Sequence, residues 1–191
     1  MPKLILVKHS SPKVDPAVDP ARWPLSPHGQ ARCEALAAAL LPHRPAVIVS
    51  SEETKAVQTA QLVAGRLGLA ATAAPDLHEH DRSNVPMMDT RDFLSTMALV
   101  FKRPDQIVLG RESANQACDR FERAVRAVLA QNPDPAIISH GTVIALLVAR
   151  HNRIDPYPLW RAMGLPSYVI LDADTFALRE QVSSLLDPPP P

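Results

Sequence analysis

Two histidines stand at the ends of short apolar runs, His9 after Leu4-Ile5-Leu6-Val7-Lys8 and His140 after Ala136-Ile137-Ile138-Ser139. Lys8 precedes the first of them. Lys55 follows a third such run, Ala46-Val47-Ile48-Val49, and Glu79 sits in a polar stretch with His78, His80 and Asp81. An imidazole held as a donor at one ring nitrogen by a backbone carbonyl presents the other nitrogen as a lone pair. That nitrogen can attack phosphorus and form a covalent phosphoenzyme. A second histidine can donate hydrogen bonds to the equatorial oxygens, where charge must be stabilised in the transition state. A carboxylic acid must then protonate the departing alkoxide, and as carboxylate the same group can activate the water that cleaves the phosphohistidine. Glu79 is assigned that role. The two histidines, Lys8, Lys55 and two helix amino-termini would make a compact positive pocket whose natural guest is a phosphoryl group. This chemistry requires no metal site and no cofactor.

The elements that must position these residues are legible from their patterning. Leu4 to Val7 is a continuous apolar run, the pattern of a central parallel strand buried on both faces. Ser26-Pro27 supplies a capping hydroxyl and a proline at the first helical position, so a helix is predicted from about Pro27 to Leu41. Ala46 to Val49 predicts a second buried strand, followed by a helix from about Glu52 to Leu67 that closes near Gly68. Ala70 to Ala74 reads as a short edge strand. Helices are predicted over Asp89 to Phe101 and Glu112 to Gln131, a third buried strand over Ala136 to Ile138, and a helix over Val143 to His151. Tyr168 to Leu171 and Ala177 to Val182 read as strands joined by the turn cluster Asp172-Ala173-Asp174-Thr175. Alternating strands and helices give an α/β sheet with helices on both faces, and ligands of such sheets bind beyond the carboxyl ends of the strands.

Composition narrows the function classes. The 20 lysines and arginines balance 20 aspartates and glutamates, so nothing argues for bulk attraction to nucleic acid or an anionic membrane. No glycine-rich loop for nucleotide phosphates and no Gly-x-Gly-x-x-Gly fingerprint is present. Cys33 and Cys118 are the 2 cysteines, too few for a disulfide framework, which fits a reducing cytoplasm. No apolar run approaches the roughly 20 residues needed to span a bilayer, and Leu4 to Val7 is too short for a secretory signal. The expectation is a soluble, unexported protein. One domain is expected over residues 1–187, with a cap segment at about 76–111 and a frayed proline-rich tail at 188–191.

The strand end Leu4-Ile5-Leu6-Val7-Lys8-His9-Ser10, the segment from Ser50 through Lys55 to Ala60, Leu77-His78-Glu79 and Ser139-His140-Gly141 together resemble the histidine phosphatase superfamily, also called phosphoglycerate mutase-like. The resemblance runs in the family's order over residues 4 to 142. It implies a three-layer α/β/α sandwich with a mostly parallel central sheet. It also implies His9 as phosphorylated nucleophile, His140 as second pocket histidine, Glu79 as proton donor, and phosphate ligation at Lys8 and Lys55. The phosphate-contact set is completed by Ser10, Gly141 and Arg82. The family usually has Arg-His-Gly where Lys8-His9-Ser10 stands, and arginine at Lys55. Arginine grips two phosphate oxygens at once, whereas lysine is a compact point charge. Ser10 brings a hydroxyl where glycine would allow the closest backbone approach, and Arg82 can supply the guanidinium that the lysines lack. After Glu79 the family's glycine-containing segment is replaced by His80-Asp81-Arg82-Ser83-Asn84.

Three functions compete on these residues. The favoured one is hydrolysis of a small phosphorylated metabolite through phospho-His9. A mutase-like phosphotransferase returns the phosphoryl group to substrate instead. A non-catalytic phospho-ligand sensor keeps the charged pocket without transition-state positioning, and the two lysines sustain that reading. Either way the partner is a small phosphorylated substrate or phosphate, and a homo-oligomer is left open. For the hydrolase, activity is expected to fall on the alkaline side as a buried lysine or Glu79 loses its proton, and on the acid side as His9 gains one. Glu112 is read as a helix-start residue rather than a catalytic one. Met87, Met88, Phe93, Met97 and Phe101 fall in the cap segment, most of them as core.

Overall fold

The computed structural model describes residues 2–185. The proline-rich tail and the last residues of the expected domain lie outside them. Six strands form one sheet in the order β3-β2-β4-β1-β5-β6, comprising β1 (Lys3–Lys8), β2 (Val47–Ser50), β3 (Ala71–Ala73), β4 (Pro135–Ser139), β5 (Ser167–Asp172) and β6 (Leu178–Val182). The pairs β3-β2, β2-β4 and β4-β1 are parallel, while β1-β5 and β5-β6 are antiparallel. β1 is therefore central but parallel on one side only, because β5 and β6 form a hairpin that returns along it. The short edge strand expected around Ala70 to Ala74 is β3.

Alternation along β1 divides the core. Ile5 and Val7 face one side, where they pack with Leu36 and Leu40 of α1 (Pro27–Leu40) and Val63 of α2 (Thr54–Leu67). Leu4 and Leu6 face the other, against residues of α3 (Thr90–Lys102), α4 (Ala114–Gln131), α5 (Gly141–Asn152) and α6 (Pro156–Ala162). Each apolar run is thus buried on both faces, as its lack of alternation requires.

Local chemistry sets the helix starts. Ser26 caps α1 by accepting from the Gly29 N–H at 3.0 Å, with Pro27 at the first position. A Cβ on Gly29 would lie 2.0 Å from the Ser11 carbonyl oxygen, so only glycine lets the first turn of α1 approach the loop after β1. Two helices begin two residues later than expected. α2 starts at Thr54, with Glu53 as its N-cap, and α4 starts at Ala114 behind a Ser113–Gln116 capping box. Both shifts release a glutamate from a helix, Glu53 and Glu112, for other work. α6 has no counterpart among the expected helices; Asp155 accepts from the Tyr157 N–H and Pro156 opens the helix.

Candidate active site

Sheet register brings the strand ends together. Lys8 pairs with Ser139 and Ser50 with Ile138, so β1, β4 and β2 stop at one rim. The ladder continues one step further through the His9 N–H to Ser139 O at 3.0 Å and the Ser51 N–H to Ile138 O at 2.9 Å. As a result the His9 and His140 rings meet edge to face with centroids 5.1 Å apart. Both rings are buried and line a cavity of about 950 Å³, together with Lys8, Lys55, Glu79 and Arg82.

His9 Nδ1 lies 2.7 Å from its neighbour's carbonyl, Ser10 O. A carbonyl only accepts, so Nδ1 carries the proton and Nε2 keeps the lone pair. Burial pushes the His9 pKa well below the usual histidine value, with the nearby His140, Lys55 and Lys8 charges acting in the same direction. The His140 pKa falls to about 3, chiefly by burial, with Glu79 opposing the shift. Both rings are therefore neutral near pH 7. His140 Nε2 lies 2.9 Å from Ser51 Oγ and 3.3 Å from Glu53 Oε1, while its Nδ1 is buried without a partner.

The two ammonium groups are already engaged. Lys8 Nζ donates to Met163 O at 2.7 Å, and burial lowers its pKa against the raising influence of Glu79. Its stem lies over Gly141, where an added Cβ would stand 3.2 Å from Lys8 Cε. Lys55 Nζ donates to Pro20 O at 2.7 Å and to the Glu53 carboxylate. Glu53 Oε1 also accepts from the Glu79 N–H at 2.9 Å. Glu53 is thus an internal anion shared by Lys55, His140 and the backbone of Glu79. The sequence reading placed it inside a helix and missed it; the available signal was an acidic residue two positions before Lys55 in the polar run after a strand.

Glu79 is held at both oxygens, by the His80 N–H at 2.8 Å and by the Thr142 N–H at 3.1 Å in the first turn of α5. Burial acts to raise its pKa, but Arg82, 3.6 Å away, His140 and the two N–H donors outweigh it and bring the value down to about 2. The resting carboxyl is ionised at neutral pH. Its loop is clamped from behind. Arg120 on α4 donates to Asp76 O, His78 O and Glu79 O and pairs with Glu112 at 2.6 Å, while Ser139 Oγ donates to Leu77 O. Glu112 in turn accepts from the Asp81 N–H at 2.9 Å, a buttressing role rather than a helix cap.

Of the sequence-assigned residues, Lys8, His9, Lys55, Glu79, Arg82, His140 and Gly141 share the cavity. Ser10 does not line it: its hydroxyl donates to Gly29 O at 2.7 Å and its N–H to Thr59 Oγ1 at 3.1 Å, tying β1 to α1 and α2. Met97 and Phe101 are core residues, whereas Phe93, Met87 and Met88 line the cavity. Among the described residues, no group of three or more histidine, cysteine, aspartate or glutamate side chains is arranged to hold a metal ion, and no helix is long and apolar enough to cross a membrane.

A family model described as histidine phosphatase superfamily (branch 1) matches residues 14–179, starting just past the His9 strand end. No curated protein is significantly similar to the chain in sequence. The fold is similar to phosphoserine phosphatase from Entamoeba histolytica in complex with 3-phosphoglyceric acid, with a TM-score of 0.74, 18% identity, and 97% and 100% of the two chains covered. It is also similar to mycobacterial glucosyl-3-phosphoglycerate phosphatase, with a TM-score of 0.72, 20% identity, and 93% and 96% covered. For the alpha-ribazole phosphatase from Shigella flexneri the TM-score is 0.68 at 24% identity, with 96% of each chain covered.

Proposed function

Because the chain belongs to the histidine phosphatase superfamily, we propose that it hydrolyses a small phosphomonoester through a phosphohistidine at His9, without a metal. The observation that supports this most is the His9 tautomer: Nδ1 is fixed on Ser10 O, and Nε2 is left as a neutral lone pair in a buried site near the Lys8 and Lys55 ammonium groups.

The arriving phosphoryl group competes with Glu53 for the Lys55 ammonium and the His140 N–H, and it recruits Lys8 and Arg82. Glu79 rests as carboxylate, so the proton for the leaving group comes with the substrate. A phosphate monoester's second pKa is about 6, and a monoanionic ester can pass its proton to Glu79 once its own charge is held by the cations. His9 Nε2 then forms the bond to phosphorus, the ester P–O bond breaks, and the alkoxide takes the proton from Glu79. In the second half, Glu79 accepts a proton from water as its oxygen attacks the phosphohistidine and the N–P bond breaks; the proton then passes to the product, which leaves as dihydrogen phosphate, restoring His9 and the Glu79 carboxylate.

The test is phosphate release from a panel of small phosphomonoesters without added metal, with His9→Ala in parallel. Loss of at least about 10³-fold in turnover in the variant is expected for removal of a nucleophile. Equal turnover by wild type and variant refutes the phosphohistidine route. No turnover by folded wild type on any ester, with phosphate still bound, favours the sensor reading.

A further inference from the structure

The cavity is far larger than a phosphoryl group, and part of its remaining wall, between polar stretches such as Asp81-Arg82-Ser83 and Glu52-Glu53-Thr54, is aromatic. The chain has only 2 tryptophans, Trp23 and Trp160, and 4% aromatic residues in all, yet both tryptophans line this one cavity. Phe93 stands beside Trp160 with ring centroids 6.0 Å apart. Met87, Met88 and Leu109 add apolar side chains to the same cavity.

This wall adjoins the charged end directly. The Arg82 guanidinium, paired with Glu79, lies 5.3 Å from the centroid of the Phe93 ring. On the other side, Met163, whose carbonyl holds Lys8, immediately follows the helix that bears Trp160. The rings are also fixed in advance. Trp160 stacks on Tyr157 at 5.9 Å, and the Trp23 indole N–H donates to Asp15 O and Val18 O. Rigid aromatic surface in a concave site binds flat apolar groups at low entropic cost and leaves a small polar ligand facing surface it cannot satisfy.

We infer that the substrate is a phosphomonoester whose alcohol carries an aromatic ring, and that Trp160 and Phe93 form the subsite for that ring. The inference rests on the phosphatase reading of the same cavity. In this arrangement the phosphoryl group lies among Lys8, His9, Lys55 and His140, and the ring lies beyond Arg82.

Two non-hydrolysable probes separate the subsite from the chemistry. Calorimetric titration of the wild-type protein with 3-phenylpropylphosphonate and with propylphosphonate is expected to give at least tenfold tighter binding of the phenyl compound. Trp160→Leu is expected to reduce that ratio at least fivefold, and Phe93→Leu serves the same purpose should the first variant fail to fold. Equal affinities, absence of binding by both compounds, or an undiminished ratio in a folded variant would overturn the inference. Phosphate release from 3-phenylpropyl phosphate, read in parallel, reports on the hydrolase alone. Strong phenyl preference without release leaves the ring subsite standing and removes the phosphatase reading.

Discussion

Glu53 Oε1 stands 3.3 Å from His140 Nε2 while the other oxygen of the same carboxylate engages Lys55. A negative charge thus sits among the groups that a phosphate would use. The Coulomb energy between such close charges is large enough, even at an effective dielectric of about 20, to matter for ligand affinity. Glu53→Gln removes the charge and keeps the shape. The expected outcome is inhibition by inorganic phosphate that tightens about five- to tenfold. An unchanged or weaker inhibition constant would mean that Glu53 orients the site without competing for its ligand.

Activity should favour acid solution. His9 and His140 titrate well below the usual histidine range, with His140 at about 3, so His140 stays neutral as the pH falls from 7 to 5 and the protonation of His9 is shifted toward acid by its burial. The alkaline limb reports the proton shared between Glu79 and the ester, near the ester's own pKa of about 6. A profile of kcat/KM that is flat or rising from pH 5 to 8 would contradict this proton route. The acid limb expected from an ordinary histidine is displaced downward by the burial of both rings.

Stability should fall in acid for the same reason. The His140 pKa is about 3 folded against about 6.5 unfolded, so between these values the unfolded chain binds more protons and stability decreases as pH decreases. Glu79, at about 2 folded, adds a loss in the same direction below about 4.5. Each fully developed group contributes about 1.4 kcal/mol per pH unit within its window. Urea unfolding from pH 7 to pH 4 should show the slope, and His140→Asn should reduce it; an unaltered slope would show that His140 is not a source.

Gly141→Ala tests the packing of Lys8. The new Cβ would lie 3.2 Å from Lys8 Cε, which is tight enough to push the stem aside and disturb the Nζ contact with Met163 O. A three- to tenfold rise in KM for phosphomonoesters is expected, with helix propensity in α5 slightly improved. Unchanged KM would show that Lys8 can relocate at no cost to substrate.

Arg120→Met tests the clamp behind Glu79. Removing one guanidinium leaves the Glu112 carboxylate with the Asp81 N–H but no cation, and takes the Arg120 donor from the Asp76, His78 and Glu79 carbonyls. A loss of about 3 kcal/mol in unfolding free energy, the low end for a buried pair, is expected, together with a fall in kcat. A drop in stability with full turnover would separate the clamp from the positioning of Glu79.

The sequence by itself determined the layered α/β fold and, through its strand ends, the meeting of Lys8, His9 and His140, while Lys55 and Glu79 were placed beside them by resemblance to the family. Short unbroken apolar runs such as Leu4 to Val7, ended by polar residues, fit strands covered on both faces, and the polar residues at their carboxyl ends then have one rim to occupy. Ser26-Pro27 likewise fixed a helix start through local bonding alone. Tertiary structure decided the rest. β1 is antiparallel to β5 because of a hairpin distant in sequence, and pairing direction leaves no trace in an apolar run. Ser10 was drawn out of the pocket by Gly29 and Thr59, residues that only packing brings near it. Glu53, Arg120 and the two tryptophans became site residues for the same reason: burial, partner and charge environment are properties of the assembled fold, and side-chain type alone does not disclose them.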